Sequence, residues 1–132
     1  MATRSADIVV DSFAWVEYFR GSSLGEEVER LLRSRRCATP TIVLAELSDK
    51  YYRDGIQGLS TDLDEVDALS SLITLDRELA EAAGRIKVEA RKTMKDFPLS
   101  DGIVYATAES LGAEVLTGDP HFRGRSRVIF LA

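Results

Sequence analysis

The chain has 132 residues, 45% of them apolar and 30% charged, with a formal net charge of −5. That length holds a substantial core in one domain, and the balance excludes disordered and fibrous classes. Cys37 is the only cysteine, which excludes an intrachain disulfide and points to a reducing, cytoplasmic setting.

No apolar run approaches membrane-spanning length, and Met1 to Asp7 lacks the basic-then-apolar order of a leader, so no membrane association is expected. Asp7–Val10 reads as a short buried strand. Ser12 is placed to cap a helix through about Phe19, with Gly21 ending it. A second helix is expected from about Leu24 to Arg35, with Val28, Leu31 and Leu32 facing inward, then a brief strand over Arg36–Ala38. Thr39-Pro40 resembles a cap followed by a first-turn proline, opening a third helix to about Arg53. Gly55 and Gly58 punctuate the turn after it.

Asp62–Ser71 reads as a short helix and Leu72–Leu75 as a strand. Asp76 then caps a long helix to about Lys95 whose apolar stripe is Leu79, Ala82, Ala83, Ile86 and Ala90. After Pro98, Ser100–Leu111 forms a further helix with Gly112 just past its end, and Glu114–Thr117 and Val128–Leu131 are the last strands. Short apolar strands alternating with amphipathic helices define an α/β fold: one domain over 1–132, a three-layer α/β/α sandwich around a central parallel sheet.

Four acids stand where apolar residues are expected. Asp11 ends Ile8-Val9-Val10, Glu46 sits inside Thr41–Leu47, Asp101 opens the helix after Pro98-Leu99-Ser100, and Asp119 closes Val115–Gly118. Burying a carboxylate costs several kcal/mol unless it is paired or binds a metal. Ligands bind beyond the carboxyl ends of strands in open parallel sheets, and each of these acids falls at that edge or on a helix leaving it. Oxygen-only ligands point to Mg²⁺ or Mn²⁺. Each acid alone has a plainer role: Asp11 as a cap, Asp119 as a turn residue, Asp101 on a helix dipole, Glu46 as a solvent-facing helix former.

Charge is unevenly placed. Residues 54–67 carry Asp54, Asp62, Asp64, Glu65 and Asp67 without a cation, whereas 85–95 carry Arg85, Lys87, Arg91, Lys92 and Lys95 against Glu89. Arg123, Arg125 and Arg127 follow in the tail. Such patches can hold a polyanion, Lys87, Arg91 and Lys95 at i, i+4, i+8 above all, or can be plain solvated surface. In the first helix Phe13, Trp15, Val16, Tyr18 and Phe19 surround the axis, which fits either a helix enclosed in the core or a groove for a partner segment.

Val9-Val10-Asp11-Ser12-Phe13, the Glu46 helix, Leu99 to Ala108 and Leu116 to Phe122 together resemble the signature segments of PIN-domain ribonucleases, most of all the VapC toxins of toxin–antitoxin pairs. The resemblance runs the length of the chain in the expected order. It implies a metal-dependent endoribonuclease, with Asp11, Glu46, Asp101 and Asp119 as catalytic metal-binding acids, Ser12 and Thr117 at small polar positions, and Mg²⁺ or Mn²⁺ as cofactor. It also implies an RNA substrate, an antitoxin seated in the apolar groove, and a homodimer. One departure stands out: many relatives carry a further acid two residues past the last aspartate, where this chain has His121. That places a second metal position in question, and His121 itself reads as structural or peripheral rather than as a ligand.

A haloacid-dehalogenase phosphatase needs a second aspartate where Phe13 stands. A receiver domain needs an acidic pair at the first strand and a lysine after the last, and neither is found. The remaining alternative is a catalytically inactive PIN-like scaffold that binds RNA or protein. Metal-dependent cleavage separates the two.

Overall fold

The computed structural model describes residues 6–132. The leader-free reading of Met1 to Asp7 therefore falls mostly outside the described residues. In chain order the elements are β1 (Ile8–Val10), α1 (Ser12–Arg20), α2 (Ser23–Ser34), β2 (Cys37–Pro40), α3 (Thr41–Asp54), α4 (Leu59–Leu69), β3 (Ser71–Ile73), α5 (Arg77–Ala90), α6 (Leu99–Leu111), β4 (Glu114–Thr117) and β5 (Val128–Phe130). A single 3₁₀ turn, Pro120–Phe122, follows β4.

The five strands pair in the order β3-β2-β1-β4-β5, and every pair is parallel. Strands that lie side by side in parallel need crossovers, and right-handed crossovers dictate which face each takes. The chain steps outward from β1 to β3 through α1–α4, then returns past β1 to β4 through α5 and α6. The reversal puts the two helix sets on opposite faces, giving the expected three layers. β1 and β2 are buried at every residue and β4 at all but its first, as strands covered on both sides must be. The edge strands β3 and β5 are partly open.

The core is built from β1, the inner face of α2 (Val28, Leu31, Leu32), Trp15, Val43, Leu47, Phe97, Val104, Val115, Leu116 and Phe122. Helix α6 is buried from Asp101 to Ala108, so it has no solvated face over two turns. Its close fit against α5 depends on Gly102, where an added Cβ would lie 2.7 Å from the Ala83 carbonyl oxygen.

Several elements differ from their expected bounds for identifiable reasons. Asp11, not Ser12, caps α1: its side chain accepts from the Ser12 N–H, and Ser12 is the first helical residue. Thr39 is no helix cap. It lies in β2, fully buried, accepting from Trp15 Nε1 at 3.2 Å and sharing a hydrogen bond with Ser70 at 2.8 Å. Helix α4 begins at Leu59, three residues early, because Gly58 takes a left-handed conformation (φ 89°) and turns the chain there. Helix α5 stops at Ala90 rather than Lys95; Arg91 turns its guanidinium onto the Phe97 carbonyl at 2.8 Å. Lys87, Arg91 and Lys95 therefore do not form one helical row. Among the described residues no helix is long and apolar enough to cross a membrane.

Candidate metal centre

The sheet order reverses between β1 and β4, so a crevice opens at the carboxyl ends of those two strands. Register places Val10 opposite Leu116, so the next residues out, Asp11 and Thr117, stand side by side at the crevice mouth. Thr117 donates its hydroxyl to Asp11 Oδ2 at 2.8 Å, and the Asp119 N–H donates to the same hydroxyl oxygen at 3.0 Å. Asp11 Oδ1 is held by the Ser12 N–H at 2.8 Å. The first and last of the four acids are thus fixed by one buried threonine.

The other two arrive on helices. Asp101 lies in the first turn of α6, where the helix dipole favours a negative charge. It is 3% exposed, and its Oδ2 has no hydrogen-bond partner. Glu46 enters from the second turn of α3, beside the hydroxyls of Ser12 and Ser100, and its Oε1 is buried without a partner.

Burial and mutual charge together shape the electrostatics of these acids. Burial raises Asp11 to a pKa of about 7, opposed by the Thr117 hydrogen bond and reinforced by the charges of Glu46 and Asp119. Asp101 is pushed to about 9, first by burial and then by repulsion from Asp11, Asp119 and Glu46. Burial also raises Glu46, with the Ser12 and Ser100 hydroxyls opposing it. Carboxylates that raise one another in this way call for a cation. The carboxylates supply hard oxygens, those of Glu46 Oε1 and Asp101 Oδ2 buried and unpartnered, and such oxygens fit a Mg²⁺- or Mn²⁺-sized ion.

Of the four predicted acids, Asp101 and Asp119 come within reach of one shared ion, together with His121. Asp11 is tied to Asp119 through Thr117. Glu46 stands near enough for its charge to act on Asp11 and Asp101, with Ser12 and Ser100 beside it. Three further contributors escaped the sequence reading. Ser100 abuts Glu46, and nothing but its place before Asp101 marks it. His121, read as peripheral, points into the cluster: its Nδ1 is 3.2 Å from Asp101 Oδ2 and 3.0 Å from Asp119 Oδ1. The tight 3₁₀ turn causes this, since the His121 N–H donates to Asp119 Oδ1 at 2.9 Å and folds the ring back over the aspartate. Finally, a cleft of about 680 Å³ opens beside the acids, lined by Ser12, Phe13, Glu46, Ser100 and Asp119 at its acidic end, with Arg20, Lys50 and Arg53 among the remaining residues. Those cations are ion-paired to Glu17, Asp54 and Asp49.

The chain is thus a parallel α/β sandwich with carboxylates gathered at its switch point. The family profile of the PIN domain matches residues 8–127, and the chain belongs to that family. No curated protein matches it by sequence. Among solved structures, a toxin–antitoxin complex from Klebsiella pneumoniae is similar with a TM-score of 0.75 at 18% identity, over 96% of this chain and 98% of that one. VapC20 of Mycobacterium tuberculosis, described as a sarcin-ricin loop cleaving toxin, gives 0.73 at 20% identity over 92% and 97%. The DNA-bound VapBC of Salmonella typhimurium gives 0.71 at 19% over 96% and 98%. The fold is that of the VapC toxins.

Proposed function

We propose that this chain, as one PIN domain over 1–132, is an endoribonuclease dependent on Mg²⁺ or Mn²⁺ and the toxin of a VapBC-type pair. The observation that carries the reading is the convergence of Asp11, Glu46, Asp101 and Asp119 with buried, unpartnered oxygens on Glu46 and Asp101. Asp11, Asp101 and Asp119 would hold the ion, and Glu46 would bind it directly or through water. A bound divalent ion supplies Lewis acidity and lowers the pKa of a coordinated water. Thr117 keeps Asp11 oriented and ionisable, and Ser12 and Ser100 do the same for Glu46. The cleft accepts the RNA backbone, with Arg20, Lys50 and Arg53 available to its phosphates. The sarcin-ricin loop cleaving activity of one structural neighbour supports RNA as the substrate class.

An antitoxin is the expected partner, as in the neighbouring toxin–antitoxin complexes. Trp15 is fully buried and is not available to it. Phe19 and Val16 remain partly open and line a second hollow with Tyr51 and Ile56, which is the proposed seat of the partner. Homodimerisation and a cytoplasmic setting complete the proposal.

The deciding experiment incubates the purified protein with an RNA pool and Mg²⁺ or Mn²⁺, then maps the cut ends. Cleavage that stops with excess chelator, and with Asp11→Asn, supports the reading. Cleavage at full rate in chelator overturns it, and RNA binding without cleavage assigns the chain to the inactive scaffolds.

A further inference from the structure

We propose that His121 is a direct nitrogen ligand of the ion held by Asp101 and Asp119, and that it biases the centre toward Mn²⁺ and later first-row ions over Mg²⁺. The inference rests on the metal-dependent reading above and adds a ligand to it. Asp101, Asp119 and His121 each offer one donor atom, and the three atoms lie within 4.8 Å of one another. An octahedral ion about 2.1 Å from its ligands holds adjacent ones about 3 Å apart. The His121 Nδ1 contacts, 3.2 Å to Asp101 Oδ2 and 3.0 Å to Asp119 Oδ1, match that separation.

These contacts have the length of hydrogen bonds without their direction. Neither His121 Nδ1 nor Asp101 Oδ2 has a hydrogen-bond partner, although both atoms are buried. Without metal, a proton shared between the buried ring nitrogen and the buried carboxylate satisfies both; a divalent ion bound by both takes that proton's place. The ring is also held in place. Its backbone N–H is bonded to Asp119 Oδ1, and its edge packs on the fully buried Phe97 at 6.4 Å between centroids.

The chemical consequence follows from the donor type. Mg²⁺ takes oxygen almost exclusively, whereas imidazole nitrogen strengthens binding of Mn²⁺ and, increasingly, of Co²⁺ and the later ions. An acid in place of His121 would give an all-oxygen site. This chain therefore has a centre of mixed donors.

The test uses the full chain, purified without a histidine tag and loaded with Mn²⁺. Pulsed electron paramagnetic resonance reads ¹⁴N coupling from an imidazole on the ion, and no substitution is needed for that measurement. Coupling in the wild type, lost in His121→Gln, is the expected result. Calorimetric titrations with Mn²⁺ and Mg²⁺ then compare wild type with His121→Asp. The ratio of Mn²⁺ to Mg²⁺ affinity should fall about tenfold or more in the variant, a change in the range that alterations around metal sites produce. Far-UV dichroism and melts in chelator establish that both variants fold. Mn²⁺ binding without ¹⁴N coupling, or an unchanged ratio in His121→Asp, overturns the assignment and leaves the carboxylate centre standing. Absence of any Mn²⁺ or Mg²⁺ binding overturns both.

Discussion

Thr117 donates to Asp11 across 106 residues of sequence, and the same hydroxyl accepts from the backbone of Asp119. The threonine is fully buried, so neither bond is replaced by water if it is lost. Thr117→Val keeps the shape and removes both. We expect a loss of about 1–3 kcal/mol in stability from the unpaired groups. The Thr117 bond also lowers the Asp11 pKa, so its removal should raise that pKa above its present value of about 7. Metal affinity near neutrality should drop, and its pH dependence should move upward. Calorimetric titration of Mg²⁺ at several pH values checks this. An unchanged pH midpoint would show that Thr117 is only a packing residue.

Without metal, the protein should lose stability as pH rises. Asp11 and Asp101 are both raised from 3.8, to about 7 and about 9. An acid whose folded-state pKa is raised binds more protons in the folded than in the unfolded state, so the slope of stability with pH is negative. The contribution is fully present below the unfolded value near 3.8 and disappears as pH passes through 7 and then 9. Chelated protein should therefore melt higher at pH 5.5 than at pH 8.5. Saturating Mg²⁺ should flatten or reverse the trend, because the ion replaces the protons. A chelated melting curve that rises over this range would contradict the buried-acid cluster.

The elements most legible in the sequence were those with a local chemical signal. The strand Glu114–Thr117 has its expected bounds, and Asp76, Gly21 and Gly112 cap the helices they were expected to cap. The four acids were legible because each interrupts an apolar pattern. Thr39 was misread because its partners, Trp15 and Ser70, lie 24 and 31 residues away, and a local capping rule cannot see them. The nearness of His121 to the acids was not legible for a related reason. A three-residue 3₁₀ turn is too short to leave a periodicity, yet it alone decides that the imidazole faces Asp101. The cleft cations Arg20, Lys50 and Arg53 sit on two helices whose approach is a tertiary fact.

Those cations make exposed ion pairs, which contribute little to stability and are easily exchanged for phosphate. Neutralising Arg20, Lys50 and Arg53 to Gln should weaken RNA binding in the presence of Ca²⁺ or a catalytically inactive background. The salt slope should flatten by about 0.7 per phosphate contact removed. The same change at Lys87 and Lys95 should do less, because α5 ends before Lys95. Binding curves over a range of salt concentrations compare the two sets. Equal slopes in both would place the RNA elsewhere.

Gly118 separates Thr117 from Asp119, and a Cβ there would fall 2.3 Å from Phe13 Cε1. Its φ is not positive, so the ring, not the backbone, stands in the way of alanine. Gly118→Ala should displace the half-buried Phe13 into the cleft it lines, with a modest loss of stability because the ring has open space to move into. Cleavage should fall with it. Phe13→Leu in the same chain should recover part of the stability, and a double-mutant cycle measures that coupling. Additive effects would mean the loop moves instead of the ring.

The last prediction concerns Asp101, whose raised pKa of about 9 means that without metal it is protonated at neutral pH. Asp101→Asn reproduces that neutral form in nearly the same shape. At pH 7 in chelator the variant should therefore melt no lower than the wild type, and above pH 9 it should melt higher, because only the wild-type carboxylate then ionises among Asp11, Asp119 and Glu46. Cleavage should be almost eliminated, since the amide cannot replace a charged ligand. Mg²⁺ at about 100 times its Kd stabilises a folded protein by about 2.7 kcal/mol, which for a domain of this size raises Tm by roughly 10 °C. The wild type should show that rise and the variant much less of it. Melts of both proteins at pH 7 and above pH 9, with and without Mg²⁺, test every part of this. A variant clearly less stable than wild type in chelator at pH 7 would make Asp101 a structural residue of α6, and the metal centre would then rest on Asp11, Glu46 and Asp119.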